Sequence, residues 1–223
     1  MKTNQELQKD VQNAIKWERS MHAAEIGVTA KDGVVTLSGT VDSYAKKLNA
    51  QRATKNVVGV KAITEGIIVD YGNSFRKNDT EIAGDVLNIW KNNKEISADE
   101  FKVRVEAGWV TLEGEVASKY QEEAPEKAIK YLTGVKGITN EIKVKHPLKD
   151  VLEQKAVEQA LKRNWSINSN DIQVSVNHSK VKLTGLVHSL YQKDEAGRLA
   201  WNAPGVLSVD NELAVAYDLA SIY

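Results

Sequence analysis

The sequence predicts an α+β fold of three tandem αββαβ modules, each a small mixed sheet packed against two helices. Three observations carry that reading. The segments Gly33–Val41, Gly108–Val116 and Ser179–Val187 share the pattern V-x-L-x-G-x-V, the alternation of a half-buried strand. Their glycines, Gly39, Gly114 and Gly185, lie 75 and 71 residues apart, and a second set, Gly59, Gly134 and Gly205, repeats with the same two spacings. Tyr44, Tyr120 and Tyr191 follow the first glycine of each copy by five or six residues. Landmarks sharing one period mark a triplicated unit, with modules expected at 1–72, 73–147 and 148–223.

Each module opens with apolar residues at helical spacing: Leu7, Val11, Ala14 and Ile15, then Ile82, Val86, Ile89 and Trp90, then Val157, Ala160 and Leu161. A hairpin follows. Its strands run through Ile26 and Val28 to Val35 and Leu37 across Asp32-Gly33, whose residues supply the positive φ that such a turn needs. Copy two joins Val103 and Val105 to Val110 and Leu112 through Ala107-Gly108, and copy three joins Val174 and Val176 to Val181 and Leu183 through Asn177-His178-Ser179. A second helix is expected at about 43–57, with Leu48, Ala50, Ala53 and Val57 apolar, and Gly59 ends it as a C-cap. In copy two Pro125 falls in this span, so that helix is expected to begin after Gln121, where proline sits in a first turn. Gly197 at mid-helix in copy three costs about 1 kcal/mol against alanine. Third strands close the modules at 63–69, 138–144 and 209–215. The separators are short, and Pro147 restricts His146, which makes the second junction the stiffer one. A unit of about 70 residues is marginal alone, so packing between neighbours is expected.

Composition excludes several classes. The chain has 223 residues, 42% hydrophobic and 27% charged, which fits a folded globular protein rather than a disordered one. Lys+Arg and Asp+Glu both number 30, so no global positive field draws the chain to nucleic acid. With no cysteine there is no disulfide, thiolate metal site or cysteine nucleophile. No stretch approaches the roughly 18 apolar residues of a membrane span, and the first ten residues contain no apolar leader core. A cytoplasmic location is expected by default, a periplasmic one if a leader has been removed.

The V-x-L-x-G-x-V strand, the following helix with spaced alanines and the Gly-Val pair before the last strand (Gly59-Val60, Gly134-Val135, Gly205-Val206) resemble the BON domain. That family occurs in osmotically inducible periplasmic proteins, secretin-associated proteins and some mechanosensitive channels. The resemblance spans nearly the whole chain. It implies αββαβ modules and non-catalytic binding, with phospholipid membranes as the widely proposed ligand; some relatives sense ions or assist envelope proteins. What it carries to the six repeated glycines is fold rather than chemistry. Against the periplasmic relatives no signal peptide is expected here, and Ser179 stands where Gly33 and Gly108 stand in the other copies.

The candidate sites follow from the residues. The repeated glycines form neither a P-loop nor a dinucleotide fingerprint, and are expected to serve close backbone approach and positive φ. His22, His146, His178 and His188 show no metal-ligand spacing. No nucleophile elbow is present, and Glu113 and Glu115 beside Gly114 have no acidic counterparts in the other copies. No catalytic residue, cofactor or metal is expected. Of Trp17, Trp90, Trp109, Trp165 and Trp201, Trp90 and Trp201 follow the apolar period of their helices, whereas Trp109 follows a turn glycine and is the best apolar anchor for a lipid or protein partner. Lys46, Lys47, Arg52 and Lys55 form the one candidate anion-facing cluster. The chain is therefore expected to be a non-catalytic binding or adaptor protein at a phospholipid surface, in a bacterial stress or envelope context. The alternatives are a protein-interaction or chaperone-like scaffold, or a small-ion (K+ or Ca2+) sensor.

Overall fold

The computed structural model describes residues 2–18, 26–72, 77–145, 154–164, 171–203, 205–206 and 208–216. Packing divides the chain into two compact units: Met1–Ser38 with Asn49–Gly66 and Leu148–Tyr223, and Gly39–Leu48 with Ile67–Pro147.

The first repeat contains α1 (Asn4–Lys16), β1 (Ile26–Lys31), β2 (Val34–Val41), α2 (Tyr44–Lys55) and β3 (Ala62–Val69). Thr3 and Glu6 close a capping box at the start of α1, satisfying amide donors that a first turn leaves unpaired. Leu7, Val11 and Ile15 recur at helical spacing and are buried, each contributing about 1.5–3 kcal/mol on leaving water. Sheet order is β1-β2-β3, so the motif strand is central. Asp32 (φ 52) and Gly33 (φ 86) make the hairpin turn with two positive φ values, as expected from Asp-Gly.

The second repeat is α3 (Asp79–Asn92), β4 (Phe101–Glu106), β5 (Trp109–Val116), α4 (Lys119–Ile129) and β6 (Gly137–Val144), with one 3₁₀ turn at Ala98–Glu100. β4 and β5 pair antiparallel, whereas β5 and β6 pair parallel from Trp109↔Gly137 to Val116↔Val144. The mixed sheet packs its buried side, Val110, Leu112 and Ile142, on Ile82, Val86, Trp90 and Ile129. Here the expectation for Pro125 fails. α4 begins at Lys119, six residues before the proline, because Ser118 Oγ accepts from the Gln121 amide and Gln121 Oε1 accepts from the Ala117 amide, fixing the helix start upstream. Pro125 lies buried inside the helix, and its carbonyl accepts from Trp90 Nε1 at 3.2 Å.

The third repeat is α5 (Gln154–Lys162), β7 (Ile172–Asn177), β8 (Lys180–Val187), α6 (Leu190–Trp201), β9 (Ser208–Asn211) and β10 (Ala214–Val215). Its last strand, expected as one piece, is two. Both pair parallel with β8, Lys180↔Ser208 on one side of the break and Leu186↔Ala214 on the other, so the offset is unchanged and no bulge intervenes. Between them the Leu213 amide turns to Asn211 Oδ1 at 3.3 Å while the Leu213 side chain is buried. The hairpin also differs: His178 (φ 55) alone is left-handed, Ser179 not sharing the second positive φ that Gly33 and Gly108 supply.

Candidate functional site

α2 carries four basic residues, and its geometry separates them. Lys46 Nζ pairs with Asp42 at 2.6 Å, and that hydrogen bond from Lys46 holds the Asp42 carboxyl below its ordinary range. Lys47 Nζ donates to the Ile67 carbonyl at 3.0 Å. Both are half-buried and serve their own repeat. Arg52 and Lys55, three residues apart, share a helix face. Arg52 lies 3.7 Å from Glu18, and Lys55 pairs with Asp194 at 2.5 Å. The cluster thus resolves into two lysines that serve the fold and two outward cations, Arg52 paired with the half-buried Glu18 and Lys55 with the exposed Asp194.

Trp109 is 47% exposed. Its Nε1 donates to Thr139 Oγ1 at 2.8 Å, and its ring lies over Gly137, where an added Cβ would meet the ring at 2.4 Å. The parallel register sets Trp109 directly against Gly137, so the ring fills a gap that a glycine leaves in the sheet, an aromatic covering a side-chain-less strand position. Trp17 is 86% exposed at the end of α1, Trp90 is fully buried and Trp201 half-buried. Trp165 lies outside the described residues, as do His22 and His146.

The remaining candidates are placed as follows. Gly59, Gly134 and Gly205 all have positive φ after helix two. Gly39 (φ 125) and Gly185 (φ 122) do as well, but Gly114 does not; it is required by contact, since a Cβ there would sit 2.7 Å from the Glu100 carbonyl and from the Phe101 ring. Glu113 and Glu115 are exposed, and Glu115 pairs with Lys145. His178 occupies the turn tip beside Asn177. Among the described residues no three His, Cys, Asp or Glu groups are placed to hold a metal, and no helix is long and apolar enough to cross a membrane.

Three devices escaped the sequence. Asp79, in the first turn of α3, accepts from the Ala107 and Gly108 turn amides at 2.8 and 2.9 Å, and Asn4 of α1 does the same for the Asp32 amide at 2.8 Å. The Asn140 amide donates to the Glu122 carbonyl and the Asn211 amide to the Lys193 carbonyl, tying the last strand to helix two at 2.9 and 2.8 Å. Tyr71, just after β3, donates its hydroxyl to the Val135 carbonyl at 2.7 Å and accepts from the Tyr44 amide at 3.4 Å. Burial pushes the Tyr71 phenol above its ordinary value. A cleft of about 350 Å³ opens beside it, lined by Asp70, Tyr71, Lys77, Asp79 and Lys136 among others.

The BON domain model matches residues 3–71, 78–146 and 150–217. The chain belongs to the BON domain family. Its three sheets with their helices are BON modules, and at Gly114 and Gly185 a Cβ would run into the backbone carbonyls of Glu100 and Asp171. Among curated relatives the chain is similar to Osmotically-inducible protein Y of Escherichia coli (strain K12), 31% identical over 133 residues, which is 56% of this chain and 65% of that protein. It is also similar to two structures of CdsD, a structural protein of the Type III secretion system of Chlamydia trachomatis. The first, the C-terminal domain, is 14% identical and covers 93% of this BON chain and 96% of that one with a TM-score of 0.25. The second is 15% identical and covers 96% and 97%, again with a TM-score of 0.25.

Proposed function

We propose that this chain is a non-catalytic binding protein whose three BON modules, spanning 1–72, 73–147 and 148–223, associate it with phospholipid surfaces in a bacterial envelope or osmotic-stress setting. The observation that supports this reading most is family membership in all three repeats, joined to a relative named for osmotic induction. The contact is proposed at Arg52 and Lys55 on the outward face of α2, with Trp109 as a separate apolar anchor. Both cations hold carboxylates in solvent-accessible pairs, one of them to the half-buried Glu18, and such surface pairs are worth about 0–1 kcal/mol. A phosphate headgroup displaces such a partner at little cost. Lys46 and Lys47 hold the helix in place and are assigned no direct contact.

The test is sedimentation with phosphatidylglycerol vesicles. Binding at low salt, release as salt rises, and loss in the Arg52→Glu/Lys55→Glu double variant are the expected outcomes. No sedimentation at low salt rejects the reading. A protein-interaction scaffold is favoured by one feature: in the order β4-β5-β6 each outer strand has a single neighbour, leaving edges able to accept an added strand. Specific capture of an extended peptide, blocked by proline substitution in β6, would support that reading instead. A K+ or Ca2+ sensor would show a melting temperature that rises with the ion concentration.

A further inference from the structure

All the residues that line the cleft of about 350 Å³ beside Tyr71 belong to the packing unit that holds the second repeat. Its size suits a small molecule. Four charged side chains line it, two of each sign: Lys77 and Lys136, Asp70 and Asp79. The fold already uses two of them. Lys77 Nζ pairs with Asp85 at 2.5 Å, and the two oxygens of Asp79 accept from the Ala107 and Gly108 amides. The other two are exposed and less committed. Asp70 gives only Oδ1 to the Gly72 amide, at 3.0 Å. Lys136 lays its stem across Gly108, where an added Cβ would lie 3.2 Å from Cγ, and its Nζ has no partner among the described residues. Tyr71 sets the distance between this carboxylate and this ammonium. Asp70 is its chain neighbour, and at the far end of its side chain the hydroxyl donates to the carbonyl of Val135, the residue before Lys136. The two charges are therefore carried on backbone anchored at opposite ends of one tyrosine side chain. Gly108 and Gly134 bring backbone rather than side chain to the cleft, so close together that a Cβ on Gly108 would lie 2.8 Å from the Gly134 carbonyl.

We propose that this cleft binds a small zwitterion, an amino acid whose ammonium and carboxylate stand at opposite ends of a short carbon chain. The ammonium meets Asp70, the carboxylate meets Lys136, and the chain lies along Tyr71. The charges select this ligand. A simple anion, phosphate included, would reach Lys136 beside the carboxylates of Asp70 and Asp79, and a simple cation would meet Lys77 and Lys136. Among the described residues no three His, Cys, Asp or Glu groups gather to hold a metal. A zwitterion answers both signs at once, through charge-assisted hydrogen bonds that a neutral ligand cannot match. The span then chooses among zwitterions. Charges carried on one and the same carbon are too close together to serve both ends of a tyrosine side chain, whereas a methylene chain between them packs on an aromatic wall. Both contacts are open to solvent, so binding is weak, with a Kd on the order of millimolar.

The test is titration of the isotope-labelled full chain with γ-aminobutyrate, followed by amide shifts in NMR spectra. The expected result is saturable shifts of the Tyr71, Gly108 and Lys136 amides, with Kd raised about tenfold or more by Asp70→Asn and by Lys136→Gln, the scale of one hydrogen bond to a charged group. Asp70→Asn keeps an acceptor for the Gly72 amide and Lys136→Gln keeps a stem over Gly108, so each removes charge rather than fold, and the unshifted remainder of each spectrum checks this. Lys61→Gln, at the matching position of the first repeat, is expected to leave Kd unchanged. Butanoate and butylamine each lack one charge and glycine lacks the span, so none is expected to saturate the same amides at the same concentrations. Absence of saturable shifts with γ-aminobutyrate overturns the proposal. So does equal affinity for butanoate, butylamine or glycine, or a Kd indifferent to both Asp70→Asn and Lys136→Gln.

Discussion

Gly185 and Gly84 place opposite demands on a missing side chain. Gly185 has φ 122, and a Cβ there would come within 2.0 Å of the Asp171 carbonyl, a backbone atom that cannot swing aside. Gly185→Ala is expected to destabilise the third repeat by about 2–3 kcal/mol or more, from left-handed strain and collision together. Gly84 is exposed in α3 with nothing within 4 Å of its would-be Cβ, so Gly84→Ala is expected to stabilise by roughly 0.8–1 kcal/mol. Urea unfolding of the two variants reads both signs. Tyr71 shows a different single-residue effect. Burial raises its phenol pKa in the folded state, so the fold favours the neutral form. The contribution is complete below the ordinary phenol value of about 10 and is lost as pH climbs from there through the folded value, because unfolded chains deprotonate first. Tyr71→Phe is expected to cost about 1 kcal/mol at neutral pH for the lost bond to Val135 and to flatten the alkaline fall in stability, followed by melting at stepped pH. An alkaline limb identical to that of the parent chain would dissociate Tyr71 from it.

At the level of elements, Gly197 shows why a helix rule read from sequence can mislead. It sits mid-helix in α6 and carries the ordinary glycine penalty, yet a Cβ there would meet Asn211 Nδ2 at 2.9 Å. The glycine makes room for the amide that ties β9 to the Lys193 carbonyl. Gly197→Ala is therefore expected to gain nothing, despite alanine's propensity, whereas Asn211→Ala costs about 1–2 kcal/mol and removes the clash. In the double variant the alanine regains its advantage. The non-additivity, measured by a double-mutant cycle in urea, is the signature; strictly additive effects would exclude the coupling. The elements themselves were legible because hydrophobic period and turn chemistry are local: helix one, the hairpin and the glycine-ended helix two stand where their spacing placed them. What was not legible is which side-chain acceptor a particular backbone amide finds. The start of α4 depended on Ser118 and Gln121 capping one another, which outweighs the proline rule, and the break between β9 and β10 depended on where the Leu213 amide finds its acceptor. The basic cluster on α2 read as one patch because composition ignores direction, while helical geometry sends Lys46 and Lys47 to partners in the fold.

Across the whole molecule, the repeat in sequence and the division in packing do not coincide. The unit that holds the second repeat also takes in Gly39–Leu48 of the first. Tyr44 explains the overlap. It is the first residue of α2, following Ser43, and the equivalent position after Ser118 is Lys119 and after Ser189 is Leu190, so the three tyrosines that mark the sequence period are not equivalent in space. Tyr44 is buried in one cluster with Ile82, Val86 and Trp90, and Leu48 packs on it, while Tyr120 is 54% exposed. The core of the second repeat is thus completed by a side chain of the first, as the small size of each module requires. Tyr44→Ala is expected to remove about 3 kcal/mol from the unit containing Trp90 and to leave the third repeat's stability unchanged. Trp90 is fully buried among these residues, so its fluorescence reports that unit when the other four tryptophans are replaced by phenylalanine. The Asn211 amide protons report the third repeat by hydrogen exchange. Equal losses at both probes would mean that the chain unfolds as one body; no loss at Trp90 would mean that the second repeat stands without its neighbour's tyrosine.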